Sequence, residues 1–207
     1  MIDAIEGEGV KSLDEYIRLA AKGGNTKSGV ILGIRMSLLG LQQVKLESPA
    51  ERHHNLIVIV ETDRCLPDAV ELVTGCRLGN RALKFQDMGK LAATFVNLKT
   101  GCAVRIAARE SANERAQEMF PSLETEAAFE RAYQILSADQ LFHVSQGRVR
   151  IAPEDVPGYH APRVICSACG ESIAFGREIA DGDRILCRAC SGSGYFEAEI
   201  SEGASKQ

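Results

Sequence analysis

"VETDRCLPDAVELVTGCRLGNRALKFQDMGKLAATFVNLKTGCAVRI", Val60 to Ile106, is the stretch on which the fold turns. It opens at the end of Leu56-Ile57-Val58-Ile59-Val60, an apolar run that reads as a buried strand continuing into Glu61-Thr62. Asp63-Arg64-Cys65-Leu66-Pro67 follows as a strand-to-helix turn. Residues 68–74 then make a short helix, with Pro67 suited to its first turn and Gly75 to its end. Residues 83–85 and 90–97 read as strands, and the turn-like Lys99-Thr100-Gly101 pairs the second with residues 102–108 in an antiparallel hairpin. Helices therefore bracket strands joined partly by hairpins instead of alternating with them. That order predicts an α+β fold, a helix-flanked and largely antiparallel sheet, over a doubly wound one.

Upstream, Ser12-Leu13-Asp14-Glu15 is a capping-box pattern opening a helix with Leu13, Tyr16, Ile17 and Ala20 on one face. The glycine-rich "KGGNTKSG", Lys22 to Gly29, resembles a phosphate cradle but has Thr26 where a Walker loop needs glycine before its lysine, and a helix where it needs a strand. Gly23 and Gly24 instead end the first helix. A second, mostly apolar helix spans residues 30–39, capped by Asn25, Thr26 or Ser28. Downstream, helical patterns cover residues 113–120 and 125–136, with Pro121-Ser122 resetting the chain as a new N-cap. Residues 141–144 and 148–151 read as a last hairpin turning at Gln146-Gly147. His53, His54 and the charges from Glu124 to Arg131 read as solvated.

A chain of 207 residues, 45% hydrophobic and 25% charged, has material for one good core and a smaller satellite. No apolar run reaches membrane-span length and Met1-Ile2-Asp3 begins no signal peptide, so a cytoplasmic location is expected, without membrane partners. Seven cysteines in a reducing compartment point to metal binding or free thiols. A net charge of -4 offers no general attraction to nucleic acid.

The expected organisation is a core over residues 1–152, a proline-rich linker over 153–163, a metal module over 164–200 and a tail over 201–207. Cys166-Ser-Ala-Cys169 and Cys187-Arg-Ala-Cys190 have the spacing of a four-cysteine zinc site. Gly170 permits the tight turn of the first knuckle, and Asp181-Gly182-Asp183 reads as a hairpin turn between the pairs. Four thiolates leave no open coordination position, so the expected Zn2+, one per chain, is structural. Across residues 163–200 the bases Arg163, Arg177, Arg184 and Arg188 are outnumbered by Glu171, Glu178, Asp181, Asp183, Glu197 and Glu199, which argues against nucleic acid. Phe175, Tyr195 and Phe196 are either contacts for a protein partner or packing within the module.

The run from Val60 to Ile106 closely resembles the FmdE family, named for one component of formylmethanofuran dehydrogenase, and "CSACGE" with "LCRAC" resembles the zinc finger on some of its members. The resemblance implies an α+β core with an accessory treble-clef finger, a homodimer, and a link to the molybdenum or tungsten enzyme at the entry to methanogenesis. Family members carry F-H-G-H-x-C-P-G before the second helix, followed by G-x-x-x-G-x-R, which aligns with Gly29, Gly33 and Arg35. The family histidines then fall on Gly23 and Asn25 and its cysteine on Lys27, so three potential ligands are missing. Cys65 matches the cysteine of E-T-D-x-C, and Asp87-Met88-Gly89-Lys90 matches D-x-G-K. The expected function is a non-catalytic, zinc-binding accessory protein with a degenerate core metal site. The alternative is a thiol-dependent enzyme or small-ligand sensor, with Cys65 and Lys90 as candidate catalytic residues around a pocket near Lys27. Cys76 and Cys102 read as packing residues.

Overall fold

The computed structural model describes residues 10–24, 27–52 and 54–196. It divides into two compact units, one running to Ile151 and including Val156–Gly158, the other formed by Ala152–Asp155 and the chain from Tyr159 onward. The expected tail, with Glu197, Glu199, His53 and the candidate caps Asn25 and Thr26, lies outside the described residues.

In the first unit, α1 (Leu13–Lys22) starts with the capping box the sequence spells out. The Glu15 N–H donates to Ser12 Oγ and the Ser12 N–H donates back to Glu15 Oε2. Helix α2 (Ser28–Val44) is longer than expected. Burial of Gly40, Leu41 and Val44 carries it past residue 39, until Lys45 turns left-handed and ends it. It is buried almost all round, as befits a central helix. Its small residues let neighbours in closely: Gly33 lies against Ala69 and Leu66, and Gly40 against the ring of Phe95.

A short α3 (Pro49–Arg52) leads into β1 (Leu56–Val60). Helix α4 (Cys65–Thr74) begins three residues earlier than the sequence predicts, since Pro67 in its first turn sacrifices only an N–H that has no intrahelical partner. Strands β2 (Leu83–Phe85), β3 (Ala92–Asn97) and β4 (Ala103–Ala108) follow, then α5 (Ser111–Met119), α6 (Thr125–Ile135), α7 (Ala138–Leu141) and β5 (Phe142–Gly147). The N-cap of α6 is Glu124, not Ser122.

The sheet order is β2-β1-β3-β4-β5, with β1 and β2 parallel and the other pairs antiparallel. The fold is thus α+β, an open sheet with helices around it. One face carries Leu56, Val58, Val60, Phe95, Val104 and Ile106 into the main core with the helices. The other carries Ile57, Val96 and Ala103, and here the expected final hairpin fails. Residues 148–151 form no strand; Val149 and Ile151 pack instead on that second apolar face, where burying two aliphatic side chains outweighs extending an edge ladder.

Gly40→Ala is expected to destabilise the core by about 1–3 kcal/mol, against the roughly 1 kcal/mol gain that the same change brings in an open helix. A Cβ there would overlap the ring of Phe95, which is fully buried and has nowhere to retreat. Urea denaturation checks the sign; a stabilised variant would contradict this packing.

The second unit holds a 3-10 turn (Pro153–Asp155) and two small hairpins, β6 (Val164–Ile165) with β7 (Ser172–Ile173) and β8 (Ile179–Asp181) with β9 (Arg184–Leu186). The predicted Asp181-Gly182-Asp183 turn joins the latter pair. Its apolar cluster is small: Cys166, Ile173 and Leu186, with Val164 and Cys187 half-buried beside them.

Candidate metal centre and core clefts

Two loops bring four sulfurs together. Cys166 and Cys169 lie between β6 and β7, where Gly170, at φ 76°, makes the reversal that a side chain would strain. Cys187 and Cys190 follow β9. The four Sγ atoms lie within 4.8 Å of one another, and Cys169 Sγ stands 4.0 Å from Cys187 Sγ. Tetrahedral bonds of about 2.3 Å to one zinc would set sulfurs about 3.8 Å apart, so the donor set fits that ion with little movement.

Main-chain N–H groups orient the sulfurs: Cys187 N–H donates to Cys166 Sγ and Cys190 N–H to Cys187 Sγ. Such donors, the Cys169 N–H first, pull the Cys166 thiol down to about 6. Cys190, crowded by Cys187 and then Cys169, is pushed up to about 12. A bound cation relieves that crowding. After the last ligand the chain makes one irregular helical turn, Ala189–Ser193, broken at Gly192 with φ 100°. The longer helix of a treble clef is absent among the described residues. Tyr195 is fully exposed and Phe196 is 76% exposed, so neither packs within the module.

Among the described residues, no second group of three or more His, Cys, Asp or Glu converges in this way. In the core, Cys65 is the first residue of α4, half-buried and packed on the main cluster. A Cβ on Gly29 would lie 3.5 Å from its sulfur, so the start of α2 does meet Cys65, but through a glycine. Lys90 is exposed and lies elsewhere. Its N–H and that of Met88 both donate to the Glu61 carbonyl, with Gly89 at φ 61° between them. Lys90 borders a cleft of about 350 Å³ with Glu61, Met88 and Arg105, and another of about 460 Å³ with Ser28, Glu110, Glu126 and Tyr133. Cys65 lines neither, so the two candidate catalytic residues share no cleft.

Sequence reasoning missed the contacts that furnish these clefts. Arg105 forks Glu61 with two bonds, Nε to Oε1 at 2.6 Å and Nη2 to Oε2 at 2.7 Å. That fork holds the Glu61 carboxyl below its ordinary range despite burial, with Lys90 helping. Glu126, read as solvated, accepts from the Ser28 N–H at 2.7 Å and so occupies the positive end of α2. Tyr133, which donates to Asn113 Oδ1, is pushed up to about 12 by burial, then by Glu110 and Glu126. Strand alternation offered a signal for the first of these, since Arg105 stands opposite Thr94 and Thr94 opposite Ile59, two residues before Glu61 on the same face.

An open α+β sheet unit plus a four-cysteine cluster of knuckle spacing defines a protein with a core and a small metal-binding module. The family model described as "FmdE, Molybdenum formylmethanofuran dehydrogenase operon" matches residues 24–145, and the chain belongs to that family. A crystal structure of an FmdE-like protein of tungsten formylmethanofuran dehydrogenase, from Syntrophus aciditrophicus, is similar at 26% identity and TM-score 0.59, over 90% of this chain and 96% of that one. A probable S-adenosyl-L-methionine-binding protein of Archaeoglobus fulgidus is 39% identical over 79 residues, 37% of this chain. The match spans 22% of that relative's length. No helix among the described residues is long and apolar enough to cross a membrane.

Proposed function

We propose that this chain is a non-catalytic accessory protein of the FmdE family, with its core metal site degenerate and its C-terminal module closed on one structural Zn2+. The observation that carries this reading is the contrast between the two thiol sites. One gathers four sulfurs within 4.8 Å and leaves no position for substrate. At the other, Cys65 faces Gly29, with Gly23 and Lys27 at family ligand positions, too few donors for an ion. The separation of Lys90 from Cys65 weighs in the same direction. An accessory role also gives exposed Tyr195 and Phe196 a use, as contacts for a protein partner.

Elemental analysis of the purified full chain tests this. One zinc per chain is expected, falling to none in Cys187→Ser; two per chain would overturn the reading. Cys65 should react with iodoacetamide no faster than free cysteine at neutral pH, and a tenfold faster reaction would restore the thiol-enzyme alternative.

A further inference from the structure

We infer that the first unit carries a binding site for a small amphipathic anion, an apolar chain or ring bearing one carboxylate, between α1, the end of α4 and the segment leading into β1. The cavity there encloses about 470 Å³, within the range of roughly 300–1,000 Å³ typical of small-ligand sites. It is distinct from both clefts that Lys90 borders.

Its body is apolar. Tyr16, Leu19, Leu56, Leu72, Val73 and Ala82 line it, and Leu56 and Val73 are each 1% exposed. Its polar lining has one sign. Lys11, Arg52 and His54 border the cavity, and no aspartate or glutamate does among the described residues. Arg52 Nη1 donates to the main-chain carbonyl of Glu47, a neutral acceptor that leaves the guanidinium its charge. Arg52 also lies near enough to the Cys76 thiol in the cavity wall to oppose the upward push of burial.

The wall is preformed as well. Asn80 Oδ1 accepts from the Arg77 and Ala82 N–H groups while its Nδ2 donates to the Gly75 carbonyl, fixing the loop between α4 and β2. The Thr74 hydroxyl donates to the Val70 carbonyl and accepts from the Cys76 N–H. These main-chain polar groups are already satisfied, so the cavity asks its occupant for apolar surface inside and negative charge beside Arg52. A carboxylate on a chain of about ten carbons supplies both.

Calorimetric titration of the full chain with decanoate, decanol and decylammonium at low salt tests this. Decanoate should bind one-to-one and at least tenfold more tightly than either of the others. Arg52→Gln should cost decanoate at least tenfold and leave decanol unchanged. Leu72→Trp, or Ala82→Trp if the first does not fold, should abolish decanoate binding by filling the cavity. Equal affinity for decanoate and decanol, undiminished binding in a folded tryptophan variant, or no saturable binding would each overturn the proposal. So would binding seen only after residues 1–9 are deleted, which would assign the cavity to the chain's own N-terminus. None of these readouts involves zinc or Cys65, so they stand apart from the tests of the accessory role.

Discussion

Stripping the metal from the C-terminal module is expected to unfold it while the sheet unit keeps its structure. The module's own cluster is Cys166, Ile173 and Leu186, with two half-buried neighbours, and such a core cannot offset the ordering of some forty residues. The difference must come from the ion, whose apparent contribution in four-ligand zinc modules is about 10–16 kcal/mol at neutral pH. One of the ligands, Cys166, is itself a member of that cluster, so the metal and the apolar contacts are made together or not at all. Hydrogen exchange before and after treatment with a strong chelator checks this. Residues 164–193 should lose protection entirely and β1, β3 and β4 should keep theirs. Persistent protection of β8 and β9 in metal-free protein would show that the module folds on its own apolar contacts.

The second large effect is expected at Arg105. Arg105→Met removes the fork from a Glu61 side chain that is only 12% exposed, leaving a carboxylate with its main partner gone. Losing one partner of such a pair typically costs about 3–5 kcal/mol when it is deeply buried. Arg105 is itself 35% exposed, so about 3 kcal/mol is the expected loss. The pH dependence gives the pair its signature. Glu61 has a folded-state value below its ordinary 4.5, so its contribution is complete above that value and is lost as pH falls through the lower one. In the variant, burial without the guanidinium acts the other way, and protonation now relieves a cost. The stability gap between wild type and variant should therefore narrow as pH drops below about 4.5. Urea midpoints at pH 7 and pH 3.5 measure it, and a gap that stayed constant would deny the pair its role.

What the sequence discloses and what it hides follow from how local each signal is. The Ser12–Glu15 box, the Asn97–Cys102 hairpin and the two cysteine pairs are specified by residues within a few positions of one another, and each stands where its pattern puts it. The α+β class comes from element order, itself a sum of local signals. Val149 and Ile151 escape such reading because alternation says that a segment can pair, not that an apolar face elsewhere offers it more. Glu126 looks like one charge on a helix surface, and its partner Ser28 is 98 residues away. Cys65 and Lys90 are linked by membership in family motifs, a grouping in sequence that the clefts do not reproduce. The glycines of "KGGNTKSG" and the helix after it are ambiguous for the same reason. Gly29 and Gly33 are small because Cys65 and Ala69 press against them, and that neighbour is recorded nowhere nearby in the chain.

Arg35, on the second helix, donates to the carbonyls of Tyr133 and Leu136, closing separations of 98 and 101 residues. Ring closure on that scale is entropically unfavourable until many contacts form together, which places assembly of this unit among the slower, late-committing kind. On the ribosome the consequence is sharper. The apolar spine from Ser28 to Val44 emerges early and has no complete cover until translation passes residue 136. A nascent chain in that interval is a natural client for a holdase chaperone, and truncations ending short of Leu136 should accumulate as aggregates.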